Sequence, residues 1–512
     1  MATFLIGIAI LIVGGSLYGR LCEKVFKPDD RLTPAFSKQD GVDYVPMPKW
    51  KNSLINLLNI AGTGPILGPI QGILFGPIAF ITIPIGCVIG GAMHDYFSGM
   101  ISMREGGIQM PEMIRKNTNR GIFGIYTVFV CVVLFLIGVV FIYTPGDIMA
   151  TQVLHTGGTA SEPSTWIIYV AIFAYYLVAT VFPIDKIIGK IYPVFGAVLL
   201  LSAVGVFIML FVKAYPLVNV WESWSLNGFD FGAYFTSERF IPSFFVTVAC
   251  GILSGFHSTQ ITLVTRTTKS EREGRMTFYN MMIIEGFIAM VWAAGTMAMI
   301  GIGAASGGIT MQMTEKGWAY FQEVNGALQQ ISPTSVVGVV CQNMLGPVGG
   351  IIATVGVIIL PITSGDTALR SLRLIIADTF HIKQKKILSR ILMALPVFGL
   401  AFLVLIWAKL DPNGFNTIWR YFGWSNQTLA VFALSSIMIW LMCNDRKKYL
   451  WIPLIPLVFY AFITSSYILS ATIGFRLPVM VAYPLGAVFT VAVTGFALYR
   501  GRKKVPAING SS

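Results

Sequence analysis

Long apolar stretches separated by short polar segments run along the whole chain, and this pattern predicts an integral membrane protein. A run of about 20 apolar residues is long enough to cross the hydrocarbon core of a bilayer as a helix. Alternating segments of about ten residues, which are typical of a membrane β-barrel, are not seen. We therefore expect an all-α polytopic membrane protein. Its thirteen predicted transmembrane helices lie at 3–19, 54–75, 77–101, 122–146, 166–184, 191–213, 240–264, 277–303, 347–369, 390–408, 417–442, 450–471 and 478–499.

Composition agrees with this reading and orients the chain. Of the 512 residues, 55% are hydrophobic and 12% are charged, and the mean hydropathy is +0.73. If the N-terminus lies outside, thirty of the 36 Lys and Arg residues fall in cytoplasmic segments, as the positive-inside rule requires. The N-terminus is therefore predicted outside and the C-terminus in the cytoplasm. Because topology explains the net charge of +13, a nucleic-acid partner has no support, and the lipid bilayer is the expected surroundings.

The second predicted span, 54–75, is interrupted at its centre. Gly62, Gly64, Pro65, Gly68 and Pro69 lie where a spanning helix should be most regular. In a helix interior Gly costs about 1 kcal/mol and Pro about 3 kcal/mol relative to Ala. In hydrocarbon such a break persists only where the freed backbone is buried in protein or lines a cavity. An interrupted helix near the midplane of the membrane is the best sequence indication of a solute site.

A second interrupted span, 240–264, runs in the opposite direction across the membrane. Gly251 and Gly255 flank Ser254, and the polar residues His257 and Gln260 follow at mid-depth. Each interrupted span opens a block of five spans, 54–213 and 240–442, which is typical of an inverted repeat. The helix in 1–20 and the two helices in 450–499 are then additions to a ten-helix core, and the whole chain forms one membrane domain.

The first interruption has the chemistry to hold a charged solute. Pro65 is expected to begin an outer half-helix, with the N–H groups of Ile66 and Leu67 directed at a carboxylate. Backbone carbonyls of 59–62 would suit a cation or an ammonium group. The alternative is that these glycines only permit close helix packing. The candidate substrate-binding residues are Asn59, Ala61, Gly62, Thr63, Gly64, Pro65, Ser254, Gly255, His257 and Gln260.

A coupling ion is predicted from polar residues inside other spans. Asp366 lies near Thr363 and Ser364, whose hydroxyl oxygens suit a hard cation such as Na⁺. Arg370, one helical turn later, could instead simply pair with Asp366. A proton carried by Asp366 or His257 is the other possibility, since ionisable groups within a membrane are functional by default. The predicted coupling residues are Ala61, Thr363, Ser364, Asp366 and His257, and Asp95, Glu285, Asn426 and Gln427 are predicted gating or structural polar residues.

No motif in the sequence indicates an enzyme or a bound cofactor. A nucleophile elbow, a phosphate loop and an HExxH motif are absent, and the six cysteines are scattered without a CxxC pair. We expect no catalytic residues, no metal site and no cofactor beyond a coupling ion, H⁺ or Na⁺. A small molecule is the expected partner. A membrane sensor that binds a nutrient without moving it and, less well supported, an intramembrane enzyme are the alternative functions.

Four segments resemble the carbon starvation protein A (CstA) family: NIAGTGPILGP (59–69), HDYFSGMISMREGG (94–107), CGILSGFHSTQ (250–260) and FGWSNQTLA (422–430). The resemblance implies a multi-pass protein of the bacterial inner membrane. Its fold would be like that of the amino acid–polyamine–organocation (LeuT-like) transporters. It also implies a link to carbon starvation and uptake of peptides or, in some members, of pyruvate by symport with protons. The expected function is ion-coupled import of a small carboxylate-bearing nutrient by alternating access.

Overall fold

The computed structural model describes the chain apart from residues 42, 157, 182–183, 236–239, 315–316, 325, 383–386, 412–413 and 504–512. Helices make up most of it, with single helical turns at Pro34–Ser37, Gly232–Phe235, Ala304–Ser306 and Lys447–Tyr449. The longer helices, together with the short Ala249–Ile252, are Ala2–Phe26 (α1), Lys49–Ile60 (α2), Gly64–Phe75 (α3), Ala79–Arg104 (α4), Met110–Asn117 (α5), Arg120–Val153 (α6), Pro163–Val181 (α7), Ile184–Val212 (α8), Phe240–Thr247 (α9), Ala249–Ile252 (α10), Gly255–Val264 (α11), Glu271–Ile302 (α12), Pro333–Thr379 (α13), Ile387–Leu410 (α14), Gly414–Cys443 (α15), Trp451–Ser470 (α16) and Val479–Lys503 (α17).

The predicted all-α polytopic architecture is confirmed. Among the described residues nine helices are long and apolar enough to cross a membrane, and the bent pair α2–α3 makes a tenth. The predicted spans 166–184 and 191–213 correspond to the shorter apolar helices Pro163–Ala179 and Gly196–Val212. The predicted span 240–264 is divided among three helices. The count of thirteen and the division into two five-helix repeats stay predictions.

Both interrupted spans are broken where the sequence placed the breaks. In the first, α2 ends at Ile60 and α3 begins at Gly64, with a bend of 47° between them. In the second, Leu253 and Ser254 adopt extended backbone conformations between α10 and α11. An extended pair of residues inside a membrane-length segment leaves backbone groups without helical partners, so their surroundings must satisfy them.

The sequence of the loop 304–346, which is rich in Gly, Gln and Thr, predicts short helices packed over the outer mouth, and the structure differs from that prediction. It forms a three-stranded antiparallel sheet, Thr310–Thr314 (β3), Gly317–Val324 (β4) and Ala327–Ile331 (β5), and then enters α13, which is kinked at Gly346. A two-stranded pair, Ser225–Leu226 (β1) and Phe229–Asp230 (β2), lies in an earlier loop. The buried Tyr320 hydroxyl on β4 donates a hydrogen bond to the Ile70 carbonyl of α3 at 2.5 Å. The sheet is thus attached to the half of the first broken span that lies beyond the break.

Two arginines attach the end of α1 to the predicted cytoplasmic side of the core. Arg446 donates to the carbonyls of Val25 at 2.6 Å and Phe26 at 2.9 Å. Arg104, at the end of α4, donates to both carboxylate oxygens of Glu271 at 2.9 Å. The Glu271 side chain is 1% exposed, and its negative charge is compensated by Arg104 and by Arg31, whose Nε atom lies 3.7 Å from Oε1 of Glu271.

Candidate functional site

The first break consists of the three residues between α2 and α3. A side chain of α13 supplies one of the hydrogen bonds that the interrupted helix lacks. The N–H of Gly62 donates to the Ile60 carbonyl at 2.8 Å instead of to Leu58, its partner in a regular helix. The Leu58 carbonyl accepts the Ser364 hydroxyl at 2.9 Å. Ser364, a predicted coupling residue, thus bonds directly to a carbonyl just before the break, and an ion held between Ser364 and the carbonyls of the break stays a prediction.

The start of α3 differs from the predicted carboxylate site. The helix begins at Gly64, and Pro65 is its second residue. The N–H groups of Ile66 and Leu67 donate to the Thr63 carbonyl at 3.2 and 2.8 Å. The prediction that these two groups are directed at a solute was wrong, because the first turn of the helix uses both of them.

Glycines of α3 serve close packing between the two broken spans. Gly64, Gly68 and Gly72 recur every four residues and share one face of the helix. A Cβ atom on Gly64 would overlap the Cys250 side chain, and one on Gly68 would lie 2.9 Å from the Thr247 carbonyl oxygen. On this face the alternative interpretation of the sequence, close packing, describes the glycines better than ligand binding.

The second break is capped by an amide from α15. The Asn426 Oδ1 atom accepts hydrogen bonds from the Ser254 hydroxyl at 3.0 Å and from the Phe256 N–H at 2.7 Å. Gln427 donates from Nε2 to the Phe245 carbonyl at 2.6 Å. A Cβ atom on Gly255 would collide with the backbone of α15 around 426–430. Of the two roles predicted for Asn426 and Gln427, the contacts favour the structural one.

A fully buried cluster of ionisable side chains surrounds His257. Its Nδ1 atom lies 2.9 Å from Oδ2 of Asp95, whose Oδ1 atom lies 2.8 Å from Nδ1 of His94. Its Nε2 atom lies 3.5 Å from Oε2 of Glu285. All four side chains are 0% exposed, and they come from α4, α11 and α12. The structure thus brings together three residues that the sequence proposed singly, and adds His94.

His94 could have been found from the sequence, since it precedes Asp95 in the motif HDYFSGM. Adjacent residues on a helix point about 100° apart, so spacing favoured only one of the two for an inward role. The His94 imidazole instead folds back onto the neighbouring carboxylate. The spacing of polar and apolar residues along the sequence does not indicate such a contact between neighbouring side chains.

A small cavity lies between α2, α11 and α13 on the predicted cytoplasmic side of the first break. It has a volume of about 10 Å³, room for about one water molecule, and Asn59, Thr267 and Thr367 are its polar lining residues. Among the described residues Oδ1 of Asn59 and Oε1 of Gln260 have no hydrogen-bond partner, although both side chains are at least 98% buried. The Gln260 amide nitrogen lies 3.4 Å from the Ser371 hydroxyl, one turn beyond Thr367.

The remaining predicted coupling residues do not converge on one point. Thr363 donates to the Leu360 carbonyl at 2.8 Å. Asp366 lies two residues after Ser364, about 200° around the helix, and so on the side away from the first break. One of its oxygens lies 3.9 Å from a guanidinium nitrogen of Arg370. Within the described part of the chain no group of three His, Cys, Asp or Glu side chains is arranged to hold a metal ion.

Fold and site together define a polytopic helical membrane protein with two broken helices in contact at its centre. The sequence profile of the family described as carbon starvation protein CstA matches residues 1–151, 125–344 and 334–467. The chain therefore belongs to the CstA family.

Several relatives and solved structures that resemble the chain are named as membrane transporters. It is 24% identical to the peptide transporter CstA of Escherichia coli over 88% of this chain and 78% of that protein. To the peptide transporter CstA of Mycobacterium tuberculosis it is 24% identical over 89% and 73% of the two chains. A membrane protein of Haemophilus influenzae is 41% identical over 57% of this chain and 89% of its own length. The crystal structure of a manganese transporter from Eremococcus coleocola has the same fold, with a TM-score of 0.59, 11% identity and coverage of 90% and 97%.

Proposed function

We propose that this protein is a secondary active importer of a small carboxylate-bearing nutrient in the bacterial inner membrane. It works by ion-coupled alternating access and serves cells short of carbon. Family membership, relatives named as peptide transporters and the fold of a manganese transporter support this proposal. The observation that carries it is the meeting of two oppositely directed broken helices at a buried, polar centre.

The proposed substrate position lies at the first break and the cavity beside it. Three acceptor or hydroxyl oxygens there, on Asn59, Thr63 and Gln260, are buried and without hydrogen-bond partners among the described residues. Buried polar atoms are nearly always paired, so these unpaired oxygens call for a ligand or water. The Phe141 ring closes the opposite side, since a Cβ atom on Gly62 would lie 2.7 Å from it.

A peptide suits these groups better than pyruvate. The amide oxygens of Asn59 and Gln260 accept hydrogen bonds, and a peptide offers an ammonium group and backbone N–H groups as donors. Pyruvate has no N–H donor. The names of the relatives favour the same class of substrate.

Inward opening would separate α2 from the segment that follows α11. Asn52 bonds to the hydroxyls of Thr267 at 2.6 Å and Thr268 at 2.8 Å. One turn later, Asn56 donates to the Thr277 carbonyl at 2.7 Å. These side-chain bonds close the cytoplasmic side of the small cavity, so we propose that they form the inner gate.

Uptake by purified protein in proteoliposomes tests the proposal. Labelled dialanine and pyruvate are supplied outside, with an imposed pH gradient, an imposed Na⁺ gradient or none. We expect gradient-driven uptake of dialanine, reduced in Asn59→Ala and retained in Asn444→Ala, whose amide is exposed. Uptake that is equal with and without every gradient would refute coupling. Chemically altered solute inside the vesicles would favour an enzyme, and binding without exchange would favour a sensor.

A further inference from the structure

We infer that the His94–Asp95–His257–Glu285 cluster is the binding site of the coupling ion and that this ion is a proton. The inference rests on the proposed function and names the ion and the residues that carry it. The hydrogen bonds that the four side chains can donate or accept support it.

Asp95 fixes the tautomers of both imidazoles. An ionised carboxylate only accepts hydrogen bonds, so the Nδ1 atoms of His94 and His257, at 2.8 and 2.9 Å, must each carry a hydrogen. A neutral His257 then presents a bare Nε2 lone pair to Glu285.

The gap between His257 and Glu285 is therefore the place for a mobile proton. Across 3.5 Å the Nε2 lone pair faces a carboxylate, and no other described residue donates a hydrogen bond to either group. Without a proton, two acceptors face each other in a water-excluded site, which is repulsive. With one proton in the gap, a hydrogen bond forms between Glu285 and His257. If the proton is on Glu285, a neutral acid donates to the imidazole, and if it is on His257, the contact is charge-assisted.

The net charge of the cluster allows it to bind a second proton, which would be the proton that is transported. With neutral imidazoles and both carboxylates ionised, the cluster carries two negative charges, and one proton in the gap leaves one. No Lys or Arg among the described residues forms an ion pair with Asp95 or Glu285. A second proton makes the cluster neutral, with His257 cationic and Glu285 protonated. Burial of net charge in a membrane is costly, so the site favours protons strongly.

The other groups facing the cluster do not supply a competing charge or a Na⁺ site. The thiols of Cys87 and Cys250 are the titratable groups close to Glu285 on the neighbouring segments. Cys87 donates to the Met282 carbonyl at 3.3 Å, and Cys250 accepts from the Asn426 amide. Thiols and imidazoles are poor ligands for a hard cation, and the four carboxylate oxygens of Asp95 and Glu285 fall short of the roughly six oxygen ligands that such a cation requires.

Protonation of this site would move α11, because α11 carries both His257 and Gln260. The His257 side faces α4 and α12, and Gln260 lies near the small cavity between α2 and α13. Loss of the proton replaces an attraction between α11 and α12 by repulsion. The same helix would then shift at the proposed substrate position, which links the proton to the solute.

The test uses Glu285→Gln, which keeps the shape of the side chain and removes its proton exchange, with Glu112→Gln on the cytoplasmic surface as control. In proteoliposomes containing a pH-sensitive dye, we expect the wild type and the control to acidify the lumen when dialanine enters. Glu285→Gln should lose both acidification and pH-driven accumulation while it retains counterflow exchange of dialanine. Undiminished acidification and accumulation in Glu285→Gln would overturn the inference.

Infrared spectroscopy provides a test that does not depend on transport. The purified wild type should show the carbonyl band of a protonated carboxylic acid that titrates reversibly with pH, and Glu285→Gln should lack that band. A spectrum unchanged by the substitution would overturn the proton site. If the wild type transports neither dialanine nor pyruvate, the proposed function fails while the infrared result still decides the proton site. Uptake that is driven by a Na⁺ gradient and does not acidify the lumen would support transport by this protein but refute the proton as its coupling ion.

Discussion

The cap that Asn426 places on α11 gives the sharpest test of the local structure. Asn426→Ala removes the acceptor for the Phe256 N–H at 2.7 Å and for the Ser254 hydroxyl at 3.0 Å. Gly255 packs against the α15 backbone too closely for even a methyl group, so α11 is held beside the position of the lost acceptor. An unsatisfied buried donor costs about 1–3 kcal/mol and loss of a helix cap about 1 kcal/mol.

We therefore expect Asn426→Ala to lower the free energy of unfolding by about 3 kcal/mol. The assay is denaturation in mixed micelles of increasing dodecyl sulfate content, followed by tryptophan fluorescence. Asn444→Ala is the matched control on the same chain, because its amide is exposed and bonds only to the Trp440 carbonyl one turn earlier. If the two variants differ by less than about 0.5 kcal/mol, the capping argument is refuted.

Two further substitutions test the packing of the broken spans and the Arg104–Glu271 ion pair. Gly64→Ala should destabilise the protein by about 1–3 kcal/mol and reduce uptake, since the new methyl overlaps Cys250. Gly124→Ala, with no atom within 4 Å of the new methyl, should leave uptake unchanged and raise stability by up to about 1 kcal/mol through helix propensity, and equal behaviour of the two variants would contradict the packing. Arg104→Met should lower the free energy of unfolding by about 1–3 kcal/mol, because the buried Glu271 loses both hydrogen bonds from Arg104 and keeps only Arg31 at 3.7 Å and the Asp29 N–H at 3.0 Å. The double variant with Glu271→Gln should recover much of that loss in the same assay; no recovery would argue against the pair.

The architecture could be predicted from the sequence to the extent that helix breaks and apolar runs determine it. Proline and glycine restrict or free the backbone locally, so the breaks at 61–63 and 253–254 followed from residues beside them. The sheet at 310–331 was missed, because a loop rich in Gly, Gln and Thr has no marked period. Its pairing depends on contacts such as that of Tyr320 with Ile70, which are distant in the chain.

The candidate site was predictable as a set of residues and not as an arrangement. His257, Asp95 and Glu285 stood out singly, because charge in an apolar run is rare. Their convergence depends on how α4, α11 and α12 pack, and a sequence pattern carries no such distance. For the same reason Asp366 seemed to belong to the first break, whereas it lies on the opposite side of α13 from Ser364.

Accumulation of dialanine in proteoliposomes under an imposed pH gradient is the most direct test of ion-coupled import. We predict that the internal concentration rises above the external one, and that a protonophore added at the plateau returns it to the external level. Uptake that stops at equal concentrations in the presence of the gradient would contradict secondary active transport by this protein.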